Sequence, residues 1–275
     1  MRREALPKIQ LLAVDVDGTL LNSAKEISPA TAEALRAARR QAGVHVVLAS
    51  ARPPRSVMPF YEQLGLEAPM INYNGALVYD PPGRRVVMHL PIPLKTAREI
   101  VRLARRLDRK VLVSAEILDR WYTDRLDEKY ATETGLLFKP DRIAPVSQWL
   151  VEPVTKLLLL APRAQLAKLQ AAIAEAFPHQ VSMVQTEEHL LQIMHATVSK
   201  AQALRCIAGE LPVTREHVMA IGDNANDVGM LQWAAIGVAV GNATPEVKAI
   251  ADVITEANDE DGVAKVVRRY ILWHV

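Results

Sequence analysis

The sequence has a single cysteine, Cys206, among 275 residues. One cysteine excludes an intramolecular disulfide and a cysteine-based zinc site, and it fits a reducing cytoplasm. No run of apolar residues approaches the ~20 that a membrane helix needs, so we expect no membrane partner. The formal net charge is only +2. A balance this close to neutral gives no basis for a nucleic-acid partner.

Half of the 275 residues are hydrophobic, so the chain can bury a large core. Its length is typical of one large domain or two smaller ones. Apolar runs at 9–16 and 44–50 predict buried strands, and the Ala/Leu-rich segment between them predicts a helix. That helix begins after Ser28 and Pro29 and ends at Gly43. Strand, helix and strand in this order predict an α/β fold with a doubly wound parallel sheet.

A turn-rich break, Asp80-Pro81-Pro82-Gly83, interrupts this pattern. The middle third alternates strands and helices but has few sharp polar motifs, and the first pattern resumes near Ser199. We therefore predict a core domain formed by residues 1–83 and 189–275, with an inserted α+β domain over 84–188.

Three polar clusters begin where a predicted strand stops. Asp15 and Asp17 follow "LLAV", Ser50 follows "HVVLA", and Asp223 follows "VMAIG". Each cluster alone also fits a local structure: a hairpin turn at Asp17-Gly18, a helix N-cap at Ser50, or a capping loop at "GDNANDVG". Because ligands bind at the carboxyl ends of strands in parallel α/β sheets, we expect the three clusters to meet in one crevice.

Four carboxylates in one crevice repel each other unless a cation is present. The four are Asp15, Asp17, Asp223 and Asp227, and their oxygen ligands suit Mg²⁺. Lys200, at the start of a predicted helix, is either a surface lysine or a further positive charge for this crevice. A metal, a lysine, a hydroxyl and helix-start amides together make a phosphate site.

The segments "DVDGTLL", "ASAR", "VSK" and "GDNANDVGML" resemble the four motifs of the haloacid dehalogenase (HAD) superfamily. "VAVGNATPEVKAIADVIT" and "NDEDGVAKVV" are similar to the Cof-type, class IIB phosphatases of that superfamily. The resemblance covers the first and last thirds of the chain. The middle third resembles the family's mobile cap domain only in its length and in its alternation of strands and helices.

The resemblance implies a Mg²⁺-dependent phosphatase that acts through an aspartyl-phosphate. Asp15 would be the nucleophile, and Asp17 would be the general acid and then the base that activates water. Ser50 would bind the transferring phosphoryl group, and Lys200 would stabilise that group and the nucleophile.

The resemblance also implies a metal site and a set of substrate contacts. Mg²⁺ would be held by the Asp15 and Asp223 carboxylates and the Asp17 backbone carbonyl, with Asp227 in support. The implied substrate- or phosphate-binding residues are Gly18, Arg52, Asn74, Gly75, Asn226 and Asn242.

Two residues depart from the family pattern, because Ala51 and Ala201 stand where glycine is usual. An added methyl restricts positive φ and close backbone approach, so we expect local substrate contacts to differ. Arg52 follows Ala51 and suits either a substrate contact or a lock on its loop.

Three other functions compete with a phosphatase. A phosphomutase of the same superfamily uses the same acid/base pair. A receiver-like signalling module has a similar site but is a single domain of about half this length, without an equivalent of Asp17. A non-catalytic sensor of phosphorylated metabolites would not need the intact acidic motifs.

The substrate is the least defined part of the prediction. Family resemblance favours sugar phosphates or similar small metabolites, ahead of phosphorylated cofactors such as a flavin precursor. In the inserted domain, Arg120, Trp121, Tyr122 and Arg125 are either surface charges and core aromatics or a reader of a sugar, a second phosphate or a flat ring. The sequence predicts no oligomeric state.

Overall fold

The computed structural model describes residues 8–274. Its strands are β1 Leu11–Asp15, β2 His45–Ala49, β3 Met70–Asn72, β4 Leu77–Asp80, β5 Arg85–His89, β6 Leu112–Ile117, β7 Arg120–Thr123, β8 Arg142–Ile143, β9 Lys156–Leu160, β10 Val181–Glu187, β11 Leu190–His195, β12 Val218–Gly222, β13 Ile236–Ala239 and β14 Val253–Ile254.

The α-helices alternate with these strands over much of the chain. They are α1 Pro29–Ala42, α2 Pro54–Leu64, α3 Leu94–Leu107, α4 Glu133–Leu137, α5 Val146–Trp149, α6 Arg163–Ala176, α7 Lys200–Glu210, α8 Val228–Trp233, α9 Pro245–Ile250 and α10 Gly262–Tyr270.

The chain divides into two compact units. The core unit comprises the residues up to Met88 and those from Ser199 onward, and the inserted unit is His89–Val198. The predicted borders lay earlier, at 83/84 and 188/189. The difference has a structural reason: β5 extends the sheet of the core unit, whereas β11 pairs with β9 and β10 in the inserted unit.

The core unit contains an eight-stranded sheet in the order β14-β13-β12-β1-β2-β3-β4-β5. Its central strands β12, β1 and β2 pair in parallel, as do β13 and β14 beside them, and β4 runs antiparallel to β3. All five residues of β1 are buried, as expected for a strand covered on both faces. The predicted doubly wound α/β fold is therefore confirmed.

The first helix shows how local sequence sets these elements. The Ser28 side chain accepts a hydrogen bond from Thr31 N at 3.1 Å, and Pro29 occupies the first turn. Gly43 ends the helix in the left-handed conformation. The chain thus returns into β2 beside β1, which brings the ends of those two strands together.

The inserted unit contains a six-stranded sheet in the order β10-β11-β9-β6-β7-β8. All of its neighbouring strands are antiparallel except β7 and β8. One face packs against α3 and α6 and forms a separate hydrophobic core, which includes Ile100, Leu157, Leu159 and Leu169. Within the described residues, no helix is long and apolar enough to cross a membrane.

Candidate active site

The carboxyl ends of neighbouring parallel strands bring the predicted clusters together. Asp15 is the last residue of β1, Asp223 follows the end of β12, and Ser50 follows β2. Asp15 is 5% exposed and Ser50 is 1% exposed, so both side chains lie inside the protein. The three polar clusters thus begin at the ends of neighbouring strands, and their joint role in one functional site stays a prediction.

Lys200 is a buried member of this cluster, and a surface position is excluded by its 1% exposure. It opens α7, where Ser199 caps the helix by accepting a hydrogen bond from Gln202 N. Its Nζ donates hydrogen bonds to Asp15 Oδ1 and, at 2.6 Å, to Asp227 Oδ1. Burial alone lowers the pKa of Lys200, but the two carboxylates outweigh this and raise it, so the lysine is charged.

Asp227 has protein donors on both of its carboxylate oxygens. Oδ1 accepts from Lys200, while Oδ2 accepts from the backbone amides of Asp223 and Asn224 at 3.0 and 3.2 Å. The side chain is fully buried. Asp227 therefore fixes both the lysine and the loop that carries Asp223.

Asp15 and Asp223 lie side by side. Burial raises the pKa of Asp15 well above its ordinary value; Lys200 opposes this effect and Asp227 adds to it. Burial also raises the pKa of Asp223, against a hydrogen bond of 2.9 Å from Thr19 Oγ1. The negative charge of Asp223 raises the pKa of Asp15 further.

This donor set fits a divalent cation. Asp15, Asp223 and Asp227 each offer a carboxylate oxygen, and these oxygens lie within 4.8 Å of one another. Three carboxylates lie around one lysine, so the site carries excess negative charge that a bound divalent cation would balance. Oxygen ligands of this kind suit hard cations.

Asp17 lies apart from this cluster, against Arg52. The guanidinium holds the carboxylate with two hydrogen bonds, Nε to Oδ2 at 2.7 Å and Nη2 to Oδ1 at 2.5 Å. Burial raises the pKa of Asp17, but Arg52 and then Lys25 outweigh burial, and the pKa lies below its ordinary value. Phe60 lies beneath the guanidinium, 5.8 Å from ring centre to Cζ. Of the two roles considered for Arg52, the structure shows the contact that fixes the loop.

The turn after β1 is also present, so the hairpin-like turn and the polar cluster occur together. Leu20 N and Leu21 N donate to the carbonyls of Asp15 and Val16, which reverses the chain at Gly18. Gly18 has φ +83°, and a Cβ there would lie 2.6 Å from Asp223 Oδ2. Only glycine allows this backbone to approach the carboxylate.

The remaining predicted residues form the wall of the crevice. Ser50 Oγ accepts from Arg52 N at 3.0 Å, and Ser50 O accepts from Asn74 N at 2.9 Å. Asn226 donates to Asn74 at 3.0 Å, and Asn242 donates to the Gly18 carbonyl at 2.8 Å. These contacts link all three sequence clusters in one network.

Gly75 sets the position of Lys200. Its φ is +102°, and a Cβ there would meet the Ser199 carbonyl oxygen at 2.3 Å. The backbone around residue 75 therefore packs directly on the first turn of α7. Because Ser199 and Lys200 are adjacent, this close approach fixes where the lysine side chain begins.

The two alanines that replace family glycines need no special backbone. Among the described residues, neither Ala51 nor Ala201 has a positive φ. Ala201 is buried, and Ala51 is exposed next to Ser50. The expected effect of their methyl groups on substrate contacts stays a prediction.

Sequence reasoning missed Thr19 and Asn258. Thr19 donates a hydrogen bond to Asp223. The sequence signal that could have identified it is its position in "DVDGT", next to the predicted aspartates. Asn258 N donates to Asn242 Oδ1 at 2.9 Å, and Asn258 Nδ2 donates to the Leu21 carbonyl at 2.8 Å. Asn258 therefore helps to hold the turn after β1. Asn258 opens the segment "NDEDGVAKVV", whose family resemblance is a sequence signal for this loop but does not indicate a contact with the turn.

Comparison with known proteins decides the family. A model described as haloacid dehalogenase-like hydrolase matches residues 12–267. The chain belongs to this family. The family predicted from the motifs is thus confirmed, and the chain is a phosphoric monoester hydrolase of the haloacid dehalogenase type.

Individual relatives match over nearly the whole chain. The 5-amino-6-(5-phospho-D-ribitylamino)uracil phosphatase YitU of Bacillus subtilis is 30% identical over 269 residues, which cover 96% of this chain and 98% of YitU. A haloacid dehalogenase-like hydrolase of Bacteroides thetaiotaomicron has a TM-score of 0.87 at 28% identity, covering 95% and 99% of the two chains. A subclass IIB sugar phosphatase shares the fold, with a TM-score of 0.77 at 22% identity over 95% and 98%.

Proposed function

We propose that this protein is a Mg²⁺-dependent phosphatase that hydrolyses small phosphorylated metabolites, with sugar phosphates foremost, through an aspartyl-phosphate. The observation that supports it most strongly is the placement of Asp15 at the end of β1, held by Lys200 and beside Asp223. One carboxylate oxygen is occupied by the lysine. Asp15 also offers a ligand oxygen that lies within 4.8 Å of those of Asp223 and Asp227.

In the first step, an Asp15 oxygen attacks phosphorus in line as the bond to the leaving alcohol breaks. Asp17 gives its proton to the departing oxygen, which yields the alcohol and the aspartyl-phosphate. In the second step, water attacks that phosphorus and loses a proton to Asp17, which releases inorganic phosphate and restores Asp15. Two easier displacements thus replace one difficult hydrolysis.

Asp17 acts both as a protonated acid and as an ionised base, and its contact with Arg52 affects which form is favoured. In the structure Arg52 holds Asp17 ionised, the form that accepts a proton from water. The protonated form that serves the leaving group is favoured only when this contact loosens. We therefore assign Arg52 the role of a positioning residue that releases Asp17 during the first step.

Lys200, Ser50 and the nearby amides would neutralise charge on the transferring group. Lys200 is charged and buried, so its effect on a bound phosphoryl group is weakly screened. Ser50 accepts from Arg52 N, which leaves its hydroxyl proton available to donate. Asn226 donates a hydrogen bond to Asn74, and both side chains would contribute to the phosphate contacts.

Asp15 and Asp223 would hold Mg²⁺ with their carboxylates, together with the Asp17 backbone carbonyl. The metal would supply charge neutralisation and orientation of the phosphate. Asp227 would support the site indirectly, because Lys200 and two amides already occupy its oxygens.

The substrate proposal follows the family resemblance and the relatives. YitU is named for a phosphorylated ribityl compound, and a subclass IIB relative in fold is named a sugar phosphatase. Both names describe phosphate esters of small polar metabolites. We further propose that the protein works in the cytoplasm, without a nucleic-acid or membrane partner.

A generic aryl phosphate assay tests the chemistry. Purified protein is assayed with 4-nitrophenyl phosphate with Mg²⁺, with EDTA, and with Mg²⁺ restored. We expect turnover only with the metal, and loss of turnover in Asp15→Asn. The matched control is Asp108→Asn, which keeps an acceptor for Lys110 N far along the chain from the cluster. Metal-independent turnover, or full activity of Asp15→Asn, would contradict the proposal.

A further inference from the structure

The inserted unit contains a cavity of about 240 Å³ that the phosphatase chemistry does not use. It lies against the sheet face opposite the one that packs on α3 and α6. Strand alternation shows this: Leu157 and Leu159 belong to the helix-covered core, whereas Leu158 and Leu160 line the cavity. The cavity is therefore a feature of this unit alone.

The floor of the cavity is apolar. Leu112, Leu158, Leu160 and Leu190 form a buried cluster of their own, and all four line the cavity. Each is at most 9% exposed. A ligand made mainly of hydroxyl groups would leave its polar atoms unpaired against such a floor, at a cost in binding free energy. The floor favours a ligand with an apolar face.

The wall of the cavity is aromatic and fixed. Trp121 lines it, and its Nε1 donates to Ser114 Oγ at 2.6 Å, which holds the indole in place. Tyr130 lines it too and contacts the His189 ring edge-on, with centroids 5.8 Å apart. Fixed aromatic side chains beside a leucine floor suit a flat ring.

The charged side chains that line the cavity are more often acidic than basic. Glu116 and Lys156 are register partners on β6 and β9, and they are only 3% and 7% exposed. Three further acids line the cavity: Asp127, Glu128 and Glu187. The only other cation in the described lining is Arg125, which is engaged with Asp124 and the Lys110 carbonyl. An anionic ligand, such as one with a second phosphate here, is disfavoured.

We propose that this cavity binds a small ligand built on a flat ring, uncharged or cationic, with a hydrogen-bonding group directed to the Glu116 and Lys156 end. Binding of a ring in this cavity does not depend on the proposed phosphatase function; only the assignment of the ring to an ester substrate rests on that function. The ring belongs either to the alcohol part of a phosphate ester or to a separate small molecule. Both sources share the same recognition chemistry.

Direct binding to the full-length protein tests the proposal. Isothermal titration with benzyl alcohol, benzylamine, benzoate and ribitol separates ring, charge and hydroxyl content. We expect benzyl alcohol and benzylamine to bind, benzoate to bind about tenfold more weakly, and ribitol to show no binding. Trp121→Ala and the cavity-filling Leu158→Trp should each weaken the ring compounds about tenfold or more.

Trp273→Ala is the matched control, because this tryptophan is 78% exposed in the core unit. Its affinities should equal those of the unmodified protein, and thermal melts show that each variant is folded. Equal affinity of ribitol and benzyl alcohol, preference for benzoate, or unchanged ring binding in both folded cavity variants would overturn the proposal.

Turnover of glycerol 3-phosphate, an ester without a ring, distinguishes the two sources. Competitive inhibition by benzyl alcohol would identify the ring as part of the ester, and binding with unchanged turnover would identify a separate ligand. Either result supports the cavity assignment. If no ester is hydrolysed, the phosphatase proposal fails, while the titrations still decide whether the cavity binds a ring.

Discussion

The polar cluster of the core unit lies at the ends of parallel strands, whereas the cavity of the inserted unit lies on the face of an antiparallel sheet. At the strand ends, consecutive residues such as Asp15 to Thr19 contribute together, and each strand adds a short polar segment. On the sheet face, only every second residue contributes, as in Leu158 and Leu160. The first arrangement leaves compact motifs in the sequence, and the second leaves none.

The two regions also differ in how their charges are held. In the core unit, Lys200 and Asp227 are buried and form a hydrogen-bonded ion pair. Removal of one side chain therefore leaves the other as a buried charge without its ionic partner. In the inserted unit, leucines and aromatic rings dominate the cavity. We expect single substitutions to be severe in the first region and graded in the second.

Lys200→Met should have the largest effect. It removes the cation between Asp15 and Asp227, which leaves two buried carboxylates without the positive charge that they share. We expect kcat to fall by about 10³-fold and the unfolding free energy to fall by about 3–5 kcal/mol. Steady-state kinetics and urea unfolding measure both, and exposed Lys168→Met is the control. If the variant retained normal stability, the buried ion-pair network would not have the importance given to it here.

Leu157→Ala should be nearly as destabilising but confined to the inserted unit. Leu157 is fully buried in the core beneath α3 and α6, and its loss should cost about 2–5 kcal/mol. Hydrogen exchange should show weaker protection in β6, β9 and β11, with β1 and β12 unchanged. Equal loss of protection in both sheets would mean that the two hydrophobic cores unfold as one.

Gly75→Ala should have an intermediate effect, on the core unit only. A Cβ at this position collides with the Ser199 carbonyl, and φ of +102° is unfavourable for alanine. We expect a loss of about 2 kcal/mol together with reduced kcat, since the start of α7 carries Lys200. Gly43→Ala is the control: it has a positive φ but no neighbour within 4 Å, so it should be the milder change and spare kcat.

His89→Gln should have the smallest effect, seen only as a change in pH dependence. Burial lowers the pKa of His89, which contacts Thr155 Oγ1 at 2.9 Å in the inserted unit. The folded protein thus binds fewer protons here than the unfolded chain, whose histidine has a pKa of about 6.5. The unfolding free energy should therefore decline as the pH drops below that value.

Urea midpoints at pH 7.5 and pH 5.5 measure this dependence, with exposed His45→Gln as the control. The glutamine variant at position 89 should lose part of the decline. A decline equal to that of the unmodified protein would show that His89 makes no contribution.

Sequence patterns predicted the fold and the proximity of the polar clusters, because hydrophobic periodicity, helix-capping residues and strand ends can be identified within short stretches of sequence. The helix at α1, with Ser28 and Gly43 at its ends, is an example. The pairing of Arg52 with Asp17 was not predicted, because it joins two loops whose relative placement depends on tertiary packing, including that of Arg52 over the Phe60 ring. Strands β7 and β8 and the cavity that Trp121 lines were also missed, since short elements and alternating residues leave no motif.

The central claim is that Asp15 carries the phosphoryl group during turnover. The direct measurement is acid quenching of Asp17→Asn during reaction with 4-nitrophenyl phosphate and Mg²⁺, followed by peptide mass spectrometry. The account predicts one phosphoryl group on the peptide that contains Asp15, accumulated because Asp17 no longer activates water, and none in Asp15→Asn. A phosphoryl group on another residue such as Ser50, or continued turnover in Asp15→Asn, would contradict it.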